Sequence, residues 1–277
     1  MTSLTNRIQK IFNDLKAKNK KAFISFSTGG YPNEKTSLEI CKAISDSGAH
    51  IHEISFPHAE AQADGPIIQL ANIDSIKNGI NLEKVINIAS KLRNHNKDIG
   101  IVLMGYINNL FIYGIKKFAN KISKADIDAV ICVDLPSDVR EENELKTELK
   151  KYNISLIKLI TPTTNDERIK EIVKDAEGFI YSVNVKGITG VKSAKINKVN
   201  SQINRIKKFT NLPIVAGFGI KSEKDVKTFS NSNCSGIVVG SAIVEKIQKN
   251  IKKNKKKHIL ANIIKDYCKK MIKNLNK

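Results

Sequence analysis

Glu53 stands inside the apolar run HIHEISF at 50–56, a costly place for a carboxylate unless its chemistry is needed there. In an extended run alternate side chains share a face, so Ile51, Glu53 and Ser55 lie together while His52, Ile54 and Phe56 lie opposite. If Ile54 and Phe56 face a helical layer, Glu53 points the other way. Burial there raises its pKa toward neutrality, which suits a group that both gives and takes a proton. The plainer alternative is a structural carboxylate paired with one of the many lysines. Asp64 follows in the loop 57–66, just before Gly65-Pro66. It can cap the next helix or, as a second acid at the same mouth, accept an N–H from a bound molecule. His50, His52 and His58 surround Glu53, but alternation sends His52 away from it, so they make a poor metal set.

Three glycine-bearing segments come later: Gly187-Ile188-Thr189-Gly190, Gly217-Phe218-Gly219 and Gly240-Ser241. Glycines let backbone N–H groups approach an anion closely, and a helix starting at Ser241 adds its positive end, so together they read as a phosphate cradle.

These residues need a scaffold that gathers them. Short β-branched runs alternate with amphipathic charged stretches, the pattern of repeated βα units around a parallel sheet. Strands are expected at 22–28, 49–56, 99–104, 127–133, 154–160, 178–183, 213–217 and 235–239. Helices are expected at 34–47, near 82–94, and at 137–151, 165–175, 195–209 and 222–232, with an amphipathic N-terminal helix placed to close one end. Eight strands favour a closed (β/α)8 TIM barrel over an open doubly wound sheet, since no G-x-G-x-x-G follows the first strand. In a barrel, chemistry gathers in the loops at the strand C-termini, and the loops after the last two strands are the usual phosphate site. With no Pro/Gly/Ser-rich linker, the whole of 1–277 reads as one domain, with the barrel at about 20–250 and a Lys-rich helical segment at about 245–277.

The chain carries 47 Lys and Arg against 27 Asp and Glu, a net charge of +20. Twelve lysines between Glu245 and Lys277 face only two acids there, so half the surplus sits at the end of the chain. The rest is diffuse, and only 6% of residues are aromatic, which leaves few platforms for stacking bases. The charge, including the run from Lys252 to Lys257, therefore reads as solvated surface and not as a nucleic-acid site. Four scattered cysteines without a C-x-x-C pair suggest neither zinc nor a disulfide framework. Without a signal-like N-terminus or an apolar run near the ~18 residues of a membrane span, a cytoplasmic location is expected.

Taken together, the residues resemble the tryptophan synthase α-subunit family, from Phe23 to about Ile247. The matching stretches are Thr28-Gly29-Gly30-Tyr31-Pro32, Glu53 with Phe56-Pro57, Ala63-Asp64-Gly65-Pro66 with Gln69, and Leu103-Met104-Gly105-Tyr106 with Asn108. Val133-Asp134-Leu135-Pro136, Thr161-Pro162-Thr163-Thr164, Tyr181 and the three glycine segments, the last extended through Ala242-Ile243-Val244, complete them. The resemblance implies retro-aldol cleavage of indole-3-glycerol phosphate to indole and glyceraldehyde 3-phosphate, with indole passed to a PLP-dependent β subunit in an α2β2 complex. It assigns proton transfer to Glu53 and the indole N–H to Asp64. Phe26, Tyr106, Tyr181 and the mobile-loop Thr189 become substrate neighbours, and Gly190, Gly219, Gly240 and Ser241 phosphate ligands. No metal or organic cofactor is implied.

The chain departs from the family in places. Ser55 stands where Gly is usual, Pro57-His58-Ala59-Glu60-Ala61 replaces Pro-Phe-Ser-Asp-Pro, Asn184 replaces a common serine, and Lys186 is unusual. The 57–61 loop touches the β subunit in the family, so a stand-alone lyase releasing free indole is the nearest alternative. A non-catalytic, basic nucleic-acid-binding scaffold is the alternative from another class.

Overall fold

The computed structural model describes residues 6–183, 192–217, 219–253 and 256–276. Its strands are β1 (Ala22–Thr28), β2 (Ile51–Ser55), β3 (Gly100–Gly105), β4 (Ala129–Cys132), β5 (Ser155–Leu156), β6 (Lys158–Ile160), β7 (Ile180–Val183), β8 (Ile214–Gly217) and β9 (Gly236–Val239). All pair in parallel, in the order β5-β4-β3-β2-β1-β9-β8-β7-β6. The two ends of that order, β5 and β6, are separated only by Ile157, whose N–H donates to the Val130 carbonyl at 2.9 Å. The run expected as one strand at 154–160 is thus two short strands, the first paired backward to β4 and the second forward to β7. The ring is nearly closed at this point, as an eight-position TIM barrel requires.

Between the strands run α1 (Arg7–Ala17), α2 (Glu34–Ser45), α3 (Pro66–Lys77), α4 (Leu82–His95), α5 (Ile107–Tyr113) and α6 (Ile115–Lys124). They are followed by α7 (Arg140–Lys150), α8 (Asp166–Lys174), α9 (Lys192–Lys207), α10 (Glu223–Ser230), α11 (Ser241–Ile251) and α12 (Lys257–Leu275). Caps explain many of the starts: Asn33, Asn81 and Asn165 accept N–H bonds from the first turns of α2, α4 and α8, and Ser222 and Asp225 form a capping box on α10. Helices α5 and α6 fall in a stretch where sequence reading marked none. The buried positions Ile115, Phe118, Ala119 and Ile122 show that α6 carried the helical period, and Gly114, at φ 90°, breaks it from the short apolar α5.

Register fixes which side chains share a face. Ile24, Phe26 and Thr28 on β1 stand opposite Ile51, Glu53 and Ser55 on β2, and Glu53 stands opposite Val102 on β3. The other face of β1 and β2 meets α2: His52 sits between the Ser25 and Ser27 hydroxyls at 2.8 and 3.1 Å, and Ser27 reaches Cys41 of α2. Glu53 therefore faces the barrel interior, as alternation predicts.

At the opposite end α1 closes the barrel with Ile8, Phe12 and Leu15, all buried, Phe12 lying 5.7 Å from Phe179. Beside it Arg93, 2% exposed, binds Asp128 at 2.6 Å and the carbonyls of Asn96, Lys97, Ile99 and Asp126. Helix α12 packs on α2, α10 and α11 through Leu260, Ile264, Cys268 and Met271. Among the described residues no helix is long and apolar enough to cross a membrane.

Candidate active site

Glu53 is fully buried, and among the described residues neither of its carboxylate oxygens has a hydrogen-bond partner. No lysine among the described residues pairs with it. Burial pushes its pKa up to about 8, so near neutrality the group holds a proton it can release. Tyr181, also buried, has its phenol pushed well above its ordinary range, first by burial and then by the charges of Glu53 and Asp64. Tyr181 thus lies within reach of the charge of both carboxylates. The ring of Tyr181 lies against Gly217, where a Cβ would come within 2.5 Å of it, so this glycine makes room for the tyrosine.

Asp64 does not cap α3: the N-cap is Gly65, with no side-chain bond. Its carboxylate instead accepts from the Tyr106 hydroxyl at 3.1 Å and the Asn72 amide at 3.5 Å, while the Tyr106 oxygen accepts the Ala63 N–H at 3.0 Å. Burial raises the pKa of Asp64, and the two donors work against that rise. Burial and the neighbouring Asp64 hold the Tyr106 phenol protonated far above its usual range, so it remains a donor. Phe26 lies beside Glu53 in register and packs close to Gly240, linking the acid to the far side of the mouth.

That far side is formed by the ends of β8 and β9. Gly219 is exposed with φ 62°, a backbone region that favours glycine. Gly240 is the N-cap of α11 and Ser241 its first residue, both half-buried. The first N–H groups of a helix have no intrahelical acceptor, which gives this rim the donors an anion needs. Thr189 and Gly190, also expected in the site, lie outside the described residues.

The chain matches the family described as "Tryptophan synthase alpha chain" over residues 12–274. It belongs to the tryptophan synthase alpha chain family. Among solved structures it is similar to an Aquifex aeolicus VF5 protein with 32% identity and a TM-score of 0.86, covering 99% of this chain and 100% of that one. Tryptophan synthase subunit alpha from Legionella pneumophila is 27% identical with a TM-score of 0.88, covering 98% of both chains. A chain of Mycobacterium tuberculosis tryptophan synthase, at 21% identity, shares the fold with a TM-score of 0.86, covering 98% of this chain and 100% of that one. Membership brings a lyase role in tryptophan synthesis.

For an alpha chain, sequence reading left two contributors unassigned. Asn72, one of the two donors on Asp64, sits eight residues further on in α3, and only the folded loop shows that it turns back. His58, on the divergent 57–61 loop, stacks on Tyr106 with ring centroids 4.7 Å apart and planes 20° apart. The remaining histidines near Glu53 are engaged elsewhere: His50 accepts the Phe23 N–H at 3.0 Å, and burial drops His52 to about 4. Among the described residues no three His, Cys, Asp or Glu side chains are grouped to share a metal ion.

Proposed function

We propose that this alpha chain cleaves indole-3-glycerol phosphate to indole and glyceraldehyde 3-phosphate, with Glu53 as its acid and base. The observation that carries the reading is a buried Glu53 without a partner among the described residues, its pKa pushed up to about 8, whose charge reaches Tyr181 as that of Asp64 does. Protonated Glu53 delivers its proton to the ring carbon that bears the side chain, leaving positive charge on the indole. Asp64, fixed by Tyr106 and Asn72, accepts the ring N–H and stabilises that charge. The Glu53 carboxylate then takes the proton from the adjacent side-chain hydroxyl. The carbon–carbon bond breaks as the aldehyde carbonyl forms, its electrons return to the ring, and Glu53 ends protonated as it began. Phe26 and Tyr181 wall the indole, Tyr106 and Thr189 are further substrate neighbours, and Gly190, Gly219, Gly240 and Ser241 hold the phosphate end.

We infer that the indole passes to a β subunit in an α2β2 complex. Exposed Leu70 on α3 and Phe111 and Ile112 on α5, both helices following strands at the mouth, support a partner surface there. A single core running from Ile8 to Leu275 supports one domain, and four free, buried cysteines are consistent with a cytoplasmic location. The test is to follow indole release from indole-3-glycerol phosphate with the chain alone and then with a β subunit. Release that rises on mixing is expected. Absence of release in both arms overturns the reading, and a rate that mixing leaves unchanged favours a stand-alone lyase.

A further inference from the structure

Thr28 and Ser55 end β1 and β2 directly opposite one another, on the same interior face as Phe26 and Glu53 and one step nearer the mouth. Both are buried, and among the described residues both side-chain hydroxyls lack a hydrogen-bond partner, as do the oxygens of Glu53. A hydroxyl can turn to meet any donor or acceptor in reach, so two neighbouring buried hydroxyls left unpaired are a standing cost to the fold. A bound group that both donates and accepts would relieve it. The backbone here is fixed, since the Gly29 N–H donates to the Ser55 carbonyl at 2.8 Å, and the side-chain direction is fixed with it.

Strand order gives these hydroxyls their place along a bound substrate. Around the mouth come β8 with Gly219, β9 with Gly240 and Ser241, β1 with Thr28, then β2 with Ser55 above Glu53 and the Asp64 loop beyond. A molecule reaching from the phosphate rim to Glu53 and Asp64 crosses Thr28 and Ser55. In indole-3-glycerol phosphate the carbon on the ring bears the hydroxyl that becomes the aldehyde, the next bears a hydroxyl that survives in the product, and the third bears the phosphate. We propose that Thr28 and Ser55 together bind that surviving hydroxyl and make the chain selective for substrates that carry it. This rests on the lyase reading of the same site. Ser55 stands where a glycine is usual in the family, so the paired hydroxyl is a property of this chain.

The test compares the parent chain with Ser55→Ala and the nearly isosteric Thr28→Val. Two quantities are measured: KM and kcat for indole-3-glycerol phosphate, and Ki for indole-3-propanol phosphate, which keeps ring and phosphate but lacks both hydroxyls. Losing one neutral hydrogen bond should raise KM roughly three- to tenfold while Ki stays within about twofold and kcat changes little. A Ki that rises in parallel with KM, or a KM unmoved in both variants, overturns the assignment while leaving the lyase reading in place. A parent chain that releases no indole overturns both.

Discussion

A carboxyl group sealed from water without a partner is most stable with its proton on, and this gives Glu53 two separable consequences. Glu53→Gln removes the proton carrier, so turnover should fall by at least ~10² to 10⁴, measured as indole release. The same change should stabilise the fold in a pH-dependent way. Above its ordinary value of 4.5 the unfolded glutamate loses its proton, whereas the folded one keeps it until about 8, so the parent loses stability as pH rises through that window. The gain in Tm from Glu53→Gln should therefore be near zero around pH 4.5 and largest at pH 8 and above. A gain that is flat with pH would show that the group is not held protonated. Asp64 is raised in the same direction by burial, but its two donors restrain the rise. Tyr106→Phe removes the nearer donor, so the acid limb of the pH–rate profile should move to higher pH. An unmoved limb would mean that Asp64 is not the group titrating. Asp64→Asn should impair turnover more than folding, as a residue that does not cap its helix would.

At the scale of elements, the proposed acids come from the middle of β2 and from the loop that follows it, and the proposed phosphate rim rests on the start of α11. Ser241→Asp puts an anion at that helix start, where the helix charge tolerates it but a phosphate does not. The expected result is a folded protein whose KM for indole-3-glycerol phosphate rises at least ~10-fold, read by steady-state kinetics beside circular dichroism. Much of this layer was legible in the sequence. Alternation along 50–56 placed Glu53 inward because an exposed or helix-facing glutamate would have left Ile54 and Phe56 out of the core. The split at Ile157 was not legible: a two-residue strand and a three-residue strand share one apolar run, and only their opposite partners divide them. Helix α5 was hidden too, since seven residues make barely two turns, too few for a helical period to show.

The whole molecule separates stability from chemistry. Arg93 and Asp128 lie at the end of the barrel closed by α1, away from the mouth, in a cluster that also takes in Arg7, Asp126 and the Asp128 carbonyl bound by Asn6. Arg93→Met strips Asp128 of one of its two arginine partners, leaving it Arg7 and the Ile101 N–H, and takes the donor from several carbonyls, so it should cost about 2–3 kcal/mol in denaturant unfolding while KM stays close to that of the parent. A large change in KM would show that the two ends of the barrel are coupled. The Lys-rich end of the chain belongs to the fold as well. Five of its lysines ride on α12, whose apolar side covers α2 and α10, two ride on α11, and Asn276 bonds the backbone of Lys21 at the start of β1. That packing gives the segment a structural place in the barrel. What the sequence determined alone is what local periodicity and residue type encode: the βα alternation, the inward glutamate, the glycine segments and the amphipathic first helix. What only the tertiary structure decided are the partnerships between distant segments: Asn72 and Tyr106 on Asp64, His58 on Tyr106, Arg93 beneath the barrel, and Thr28 beside Ser55. These contacts depend on strand register and loop path, which arise from packing the whole chain and leave no repeating pattern in any stretch of it.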